Sequence, residues 1–257
     1  MTSSLCHWRL WLVELLLCLA STLSLAAKQD VRVLRVAAAS DLRQVAPKWI
    51  RAFVEEHPNI KVEVIYGSSG KLARQIVEGA PFDLFFSADE RYALDLESHG
   101  HAATSPVRYA KGRLVLWWPR QTNISWTALA YDDVRHIAIA HPDHAPYGHR
   151  AMQAIQHQVQ LPPTLLVPKL VRGENVAQAM QYAASGAADA AIIARALMTE
   201  AAGGKFALVD ENLHEPLWQS VIVTQQAADP ALAQQFLAVV FAPAGRRILE
   251  RFGFGLP

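Results

Sequence analysis

Short apolar runs alternate along the chain with stretches whose apolar residues recur at three- and four-residue intervals. The first pattern predicts a buried strand and the second an amphipathic helix. Residues 31–39 (VRVLRVAAA) read as a strand that ends in small side chains. Leu42, Val45, Ala46, Trp49, Ile50 and Phe53 then share one face of a helix predicted over 42–56, which Pro58-Asn59 breaks. A second strand is predicted at 61–66. After it, Gly67-Ser68-Ser69-Gly70 leads into a helix over 71–78, and 84–88 form a buried strand. The later part repeats this style, with strands at 113–118, 136–140, 169–171, 190–194 and 221–223. Helices are predicted at about 149–158, 176–184 and 230–241, with a terminal one ending at Phe252-Gly253. Strands that alternate with helices define an α/β protein, and two half-similar sections point to two lobes rather than one sheet.

The N-terminus breaks the pattern. Arg9 precedes an apolar run over 10–19, and small residues follow at Ala20-Ser21-Thr22 and Ser24 to Ala27. This order predicts a secretory signal peptide, residues 1–27, cleaved after Ala26 or Ala27. The run is shorter than the roughly 20 apolar residues of a spanning helix. Both cysteines, Cys6 and Cys18, fall in this segment, so the mature chain is expected to have no disulfide, thiolate metal site or cysteine nucleophile. Leu15-Leu16-Leu17 lacks the small residues that a lipid attachment site at Cys18 would require. About 230 residues remain, enough for one large domain or two lobes. A net charge of +1 argues against a nucleic-acid partner.

Candidate chemistry sits where strands feed helices. Four such junctions occur, at Ala39-Ser40-Asp41, Ser68-Ser69-Gly70, Pro146-Tyr147-Gly148 and Glu174-Asn175-Val176. A helix start presents N–H groups without intrahelical partners and the positive end of the macrodipole, which suits an anion. Any one serine here is most simply an N-cap. If the four junctions converge, however, neutral donors alone hold a dianion, without the desolvation cost of buried cations.

At this point the chain resembles the molybdate-binding proteins of bacterial molybdate importers, the ModA type. The matching segments are Ala37-Ala38-Ala39-Ser40, Gly67-Ser68-Ser69-Gly70 with Leu72 to Ile76, Gly79 to Asp89, His136 to Ala140, Ala145 to Gly148, and Glu174-Asn175-Val176. The resemblance implies a two-lobed (type II) periplasmic binding fold with the ligand cleft between lobes. Lobe 1 would be 31–110 plus 217–257, and lobe 2 would be 111–216. It implies a non-enzymatic, monomeric periplasmic protein that binds molybdate or tungstate, or another tetrahedral oxyanion such as sulfate, and passes it to the membrane permease of an ABC transporter. No cofactor is implied, and molybdenum would be held only as its oxyanion, with no direct metal ligands. Carried over position by position, the site is Ser40, Asp41, Ser69, Tyr147 and Val176. Ser40 and Ser69 would give hydroxyl and N–H donors, and Val176 its N–H. Family members that place a tyrosine at the end of the late buried strand differ from this chain, which has Ala194 there; Tyr147 is the substitute donor. Asp41 stands where a neutral residue is usual, so it is expected to offer only its N–H and turn its carboxylate away.

Other signals compete. Ser68-x-x-Lys71 has the spacing of a penicillin-binding nucleophile, and Gly67 to Lys71 nearly forms a nucleophile elbow, but the companion motifs are missing. His141, His144 and His149 could be imagined as metal ligands, although a Pro-rich loop more often simply exposes its histidines. Trp117-Trp118 reads as core, and Arg43, Lys71 and Arg74 as solvated helix faces that raise the local potential for anion capture.

Overall fold

The computed structural model describes residues 32–120, 124–199 and 202–257. The expected signal peptide, both cysteines and Val31 lie outside them. The strands are β1 (Arg32–Ala39), β2 (Ile60–Gly67), β3 (Leu84–Ser87), β4 (Val107–Gly112), β5 (Leu114–Trp118), β6 (Ile137–Ala140), β7 (Leu170–Gly173), β8 (Ala190–Ala194), β9 (Lys205–Leu208) and β10 (Leu217–Val223). The helices are α1 (Ala46–Glu56), α2 (Ser69–Val77), α3 (Glu90–Ser98), α4 (Pro146–His157), α5 (Val176–Ser185), α6 (Pro230–Phe241) and α7 (Pro243–Arg251), joined by shorter helical turns.

Two five-stranded sheets result, ordered β2-β1-β3-β10-β4 and β7-β6-β8-β5-β9. β1 runs parallel to β3, and β6 runs parallel to β7 and β8. One antiparallel strand is inserted in each sheet, β10 between β3 and β4 and β5 between β8 and β9. Both inserted strands follow a passage of the chain from one sheet to the other: β5 comes directly after β4, and β10 directly after β9. The four junctions singled out in the sequence all lie at the carboxyl ends of strands, namely β1, β2, β6 and β7. In open α/β sheets this is the edge at which ligands bind.

Strand pleating explains the continuous apolar runs. Leu34, Val36 and Ala38 of β1, with Leu84 and Phe86 of β3, belong to a cluster under α1 and α6. Ala37 and Phe85 point the other way, into a cluster with Leu72 and Ile76 of α2. A strand buried on both faces has no polar face to show. Trp49 lies 5.8 Å from Phe86, and Phe53 meets Phe236 edge-on at 5.3 Å. Trp117 and Trp118 are fully buried in the core of the second sheet, as their pattern predicts.

Several helix starts differ from the sequence expectation. The helix predicted over 42–56 is a 3-10 turn at Ser40–Gln44 followed by α1 from Ala46. Pro47 lacks an N–H and is tolerated only in the first turn, so the α-helix begins just before it. α2 starts at Ser69 and α4 at Pro146, two and three residues before the first predicted helical positions. Those opening turns are made of small or polar residues that carry no helical period. α3, β4 and β9 were not anticipated; all four residues of β9 are exposed, so no alternation marks it.

Candidate functional site

The four junctions meet. Ser40, Asp41, Ser69, Tyr147 and Val176 line one cavity, together with Ala39, Gly67, Ser68, Ala88, Ala145 and Pro146. The first sheet thus contributes the ends of β1 and β2, and the second sheet the starts of α4 and α5. All five expected residues are at most 4% exposed. The cavity is small, about 10 Å3, and suits a compact guest rather than an extended one. No lysine or arginine is among the lining residues.

Both key hydroxyls are oriented by main-chain donors. Ser69 Oγ accepts a hydrogen bond of 2.9 Å from the Ala88 N–H, and Ser40 Oγ accepts one of 3.3 Å from the Ala177 N–H. A hydroxyl whose lone pair is engaged in this way keeps its own hydrogen for another acceptor. The Ser40 bond also ties β1 of the first sheet to α5 beneath the second. Asn175 caps α5 by accepting from Ala177 and Gln178, which leaves Val176 as the first N–H of that helix, without an intrahelical partner. On α4, Pro146 occupies the first turn, and Tyr147 supplies the next N–H.

Behind the hydroxyls lies a buried polar network. Asp41 Oδ2 accepts from Gln219 Nε2 at 2.6 Å, Gln219 Nε2 also donates to the Tyr147 hydroxyl at 3.1 Å, and the Tyr109 hydroxyl donates to Gln219 Oε1 at 2.6 Å. Gly112 makes room for this arrangement: a Cβ there would stand 2.5 Å from the Tyr147 hydroxyl and 2.8 Å from Gln219 Nε2. The Tyr147 hydroxyl accepts from Gln219 and turns its own hydrogen towards the Asp41 carboxyl, at the crossing between the sheets. Asp41 Oδ1 is buried and has no hydrogen-bond partner among the described residues. Burial pushes the Asp41 carboxyl up to about 6, while Gln219, Tyr147 and the N–H groups of Asp41 and Leu42 pull it the other way. Burial also holds the Tyr109 and Tyr147 hydroxyls well above the ordinary tyrosine range, so both stay protonated.

Comparison with known proteins places this geometry in a lineage. Residues 34–255 match the family described as bacterial extracellular solute-binding protein. The molybdate-binding protein ModA of Rhodobacter capsulatus is 32% identical over 209 residues, 80% of this chain and 82% of that protein. The chain belongs to the ModA family. ModA of Azotobacter vinelandii is 31% identical over 252 residues, 95% of this chain and 98% of its own length. The solved periplasmic molybdate-binding protein of Azotobacter vinelandii superposes on this ModA-family chain with a TM-score of 0.80 at 34% identity, covering 87% of this chain and 99% of that one. The fold is the two-lobed α/β binding-protein fold expected from the sequence.

Polar contacts between the two sheet systems surround the cavity of this ModA-family chain. Ser68 Oγ and His144 Nδ1 share a hydrogen bond of 2.9 Å, and the Gly70 N–H donates to the His144 carbonyl at 2.9 Å. Burial lowers the His144 pKa, which favours the neutral ring. His141 stacks on His144 at 4.8 Å. Among the described residues no group of three or more His, Cys, Asp or Glu side chains is placed to hold a metal ion. Lys71 pairs with Glu174 at the exposed rim. Deeper, Arg150 of α4 reaches Asp89, which follows β3, at 3.3 Å, both side chains being 4% exposed, and also lies 3.0 Å from Glu215. Arg91 holds the same Asp89 at 2.8 Å, while Asp89 caps α3 through the Arg91 N–H at 3.0 Å. Gln219, Ala88, Asp89 and Arg150 were missed in the sequence. Only Asp89 carried a signal, as an N-cap ahead of Glu90; the others are defined by contacts 19 to 178 residues away in sequence.

Proposed function

We propose that this ModA-family chain captures molybdate or tungstate in the periplasm and delivers it to the membrane permease of an ABC importer, without catalysing a reaction. In this reading Ser40 and Ser69 donate hydroxyl hydrogens to the oxyanion, and Ser40, Asp41, Ser69, Tyr147 and Val176 offer main-chain N–H groups. Segments 31–110 and 217–257 act as one lobe and 111–216 as the other. They close on the ligand as a monomer, and residues 1–27 direct export. No cofactor takes part.

The observation that carries the reading is the meeting of four strand-to-helix junctions around one small cavity, with hydroxyl and N–H donors and no lysine or arginine in its lining. A dianion with four equivalent oxygens suits convergent donors. Inside a dry cleft each such bond is stronger than in water. Size then separates the larger molybdate and tungstate from sulfate at equal charge and symmetry. A hydrolytic use of Ser68 gains no support from its surroundings, because Lys71, the base which that spacing calls for, is paired with Glu174.

Titration calorimetry of the mature protein with molybdate, tungstate, sulfate and phosphate tests the reading. Molybdate and tungstate are expected to bind tightest, and sulfate binding as tight or tighter would overturn the ligand assignment. Ester or nitrocefin turnover that disappears in Ser68→Ala would overturn the absence of catalysis.

A further inference from the structure

Asp41 is the anomaly of the site: an acid, fully buried, in a cavity lining whose other polar side chains are serine and tyrosine hydroxyls. Its two oxygens are not equivalent. The Tyr109 hydroxyl fixes the Gln219 amide with Oε1 on its own side, so Nε2 must face Oδ2 of Asp41. Oδ1 is left without a hydrogen-bond partner among the described residues, while the Tyr147 hydroxyl and the N–H groups of Asp41 and Leu42 lie close enough to favour the charged carboxyl against its burial. A bare carboxylate oxygen beside an oxyanion would meet only repulsion. A proton between them turns the same contact into a hydrogen bond. We propose that Asp41 is the specificity-determining proton carrier of this pocket, with Oδ1 protonated in the bound state and donating to the oxyanion, so that each dianion is captured together with one proton from solvent.

This rests on the oxyanion-binding reading above and adds to it a defined stoichiometry. The charged and titratable groups on the elements packed around Asp41 are otherwise engaged. On its own turn, Arg43 lies over the Tyr66 ring of β2. On the turn Arg195–Leu197, Arg195 donates to the Met198 carbonyl and covers Phe206. Lys111 of β4 pairs with Glu211, Arg150 of α4 with Asp89 and Glu215, and Glu174, just ahead of α5, with Lys71. Tyr109 and Tyr147 keep their protons. His144, bonded to Ser68, is the remaining titratable group beside the cavity lining, and burial depresses it.

The sign of the pH effect follows from this. Burial pushes the carboxyl up to about 6, and a neighbouring dianion raises it further. The proton is thus already present below about pH 6 and must be taken up with the ligand above it. Affinity should fall by about tenfold per pH unit above 6, and level off below.

Molybdate stays a dianion between pH 6 and 8 and serves as the probe. Calorimetry in two buffers of different ionisation enthalpy counts the protons taken up by the unaltered mature protein. The expected count is about one half at pH 6 and about one at pH 8. Asp41→Asn supplies a fixed N–H donor at the Oδ1 position and keeps an acceptor for Gln219. It should lose the pH slope and bind molybdate more than tenfold tighter than the wild type at pH 8. A count near zero at pH 8, or an Asp41→Asn profile that keeps the wild-type slope and so assigns the proton to His144, overturns the proposal and leaves molybdate capture intact. Failure of molybdate and tungstate to bind at any pH overturns both.

Discussion

The two sides of the cavity present the same kind of donor by different means. On the side of the first sheet the key donors are side chains: the Ser40 and Ser69 hydroxyls, each oriented by a main-chain N–H, with Asp41 beside them. On the side of the second sheet they are main-chain groups at the starts of α4 and α5, where the identity of Val176 matters less than where its backbone runs. A side-chain site is altered by removing atoms. A main-chain site is altered only by moving a helix, so it tolerates many substitutions and fails at the few positions that set the distance between helix and strand.

Gly148 is such a position, and its substitution should give the largest effect. A Cβ on Gly148 would stand 2.1 Å from the Ala140 carbonyl oxygen and 2.6 Å from its carbon, which are rigid main-chain atoms at the end of β6. Gly148→Ala must push the first turn of α4 away from the strand. Overpacking of this severity costs about 3 kcal/mol or more, a fall of roughly 6–12 °C in Tm for a chain of this size. It should also abolish the rise in Tm that molybdate gives the wild type. If a melting curve with and without molybdate matched the wild type, the second side would not depend on helix placement, and the contrast between the sides would fail.

Serine truncation probes the other side at smaller scale. Ser69→Ala removes a donor to the ligand and also strands the Ala88 N–H, so molybdate affinity should drop by about 2 kcal/mol, or roughly thirtyfold. Ser40→Ala should cost less, about 1 kcal/mol, because its bond to the Ala177 N–H is longer, 3.3 Å against 2.9 Å, and Asn175 still accepts from that N–H. Calorimetry of the two variants sets the order. Unchanged affinity in both would remove the hydroxyls from the binding machinery.

The same asymmetry governs how much could be read from the sequence. The strands and most helices were legible because burial on two faces leaves unbroken apolar runs at β3, β6 and β8, and the α6 boundaries follow directly from Pro230 and the apolar period after it. The four junctions were legible as helix starts, the five site residues within them were what the family resemblance implied, and the structure gathers all five in one lining. The polar network behind them was not. Gln219 lies 178 residues from Asp41, in a strand whose last three residues, Val221 to Val223, look like ordinary core. Nothing in the local sequence tells a buried glutamine that holds a carboxylate from one that faces solvent. The fate of Asp41 was hidden for the same reason. Its neighbours in the chain specify a helix start, but only the fold shows that both carboxylate oxygens stay buried and that one of them has a partner.

The smallest expected effect tests the premise shared by both sides, that uncharged donors suffice. Lys71 lies two residues beyond Ser69, and its side chain is 53% exposed and paired with the equally exposed Glu174. An exposed pair of this kind contributes about 1 kcal/mol at most, and salt weakens it further. Lys71→Ala should therefore change molybdate affinity less than about fivefold in 0.15 M salt. The difference should appear mainly in the association rate, which an exposed cation assists by steering the anion. A loss as large as that of Ser69→Ala would mean that a cation shares in gripping the ligand. The account of the cavity as a dry cradle of hydroxyl and main-chain donors would then have to be abandoned.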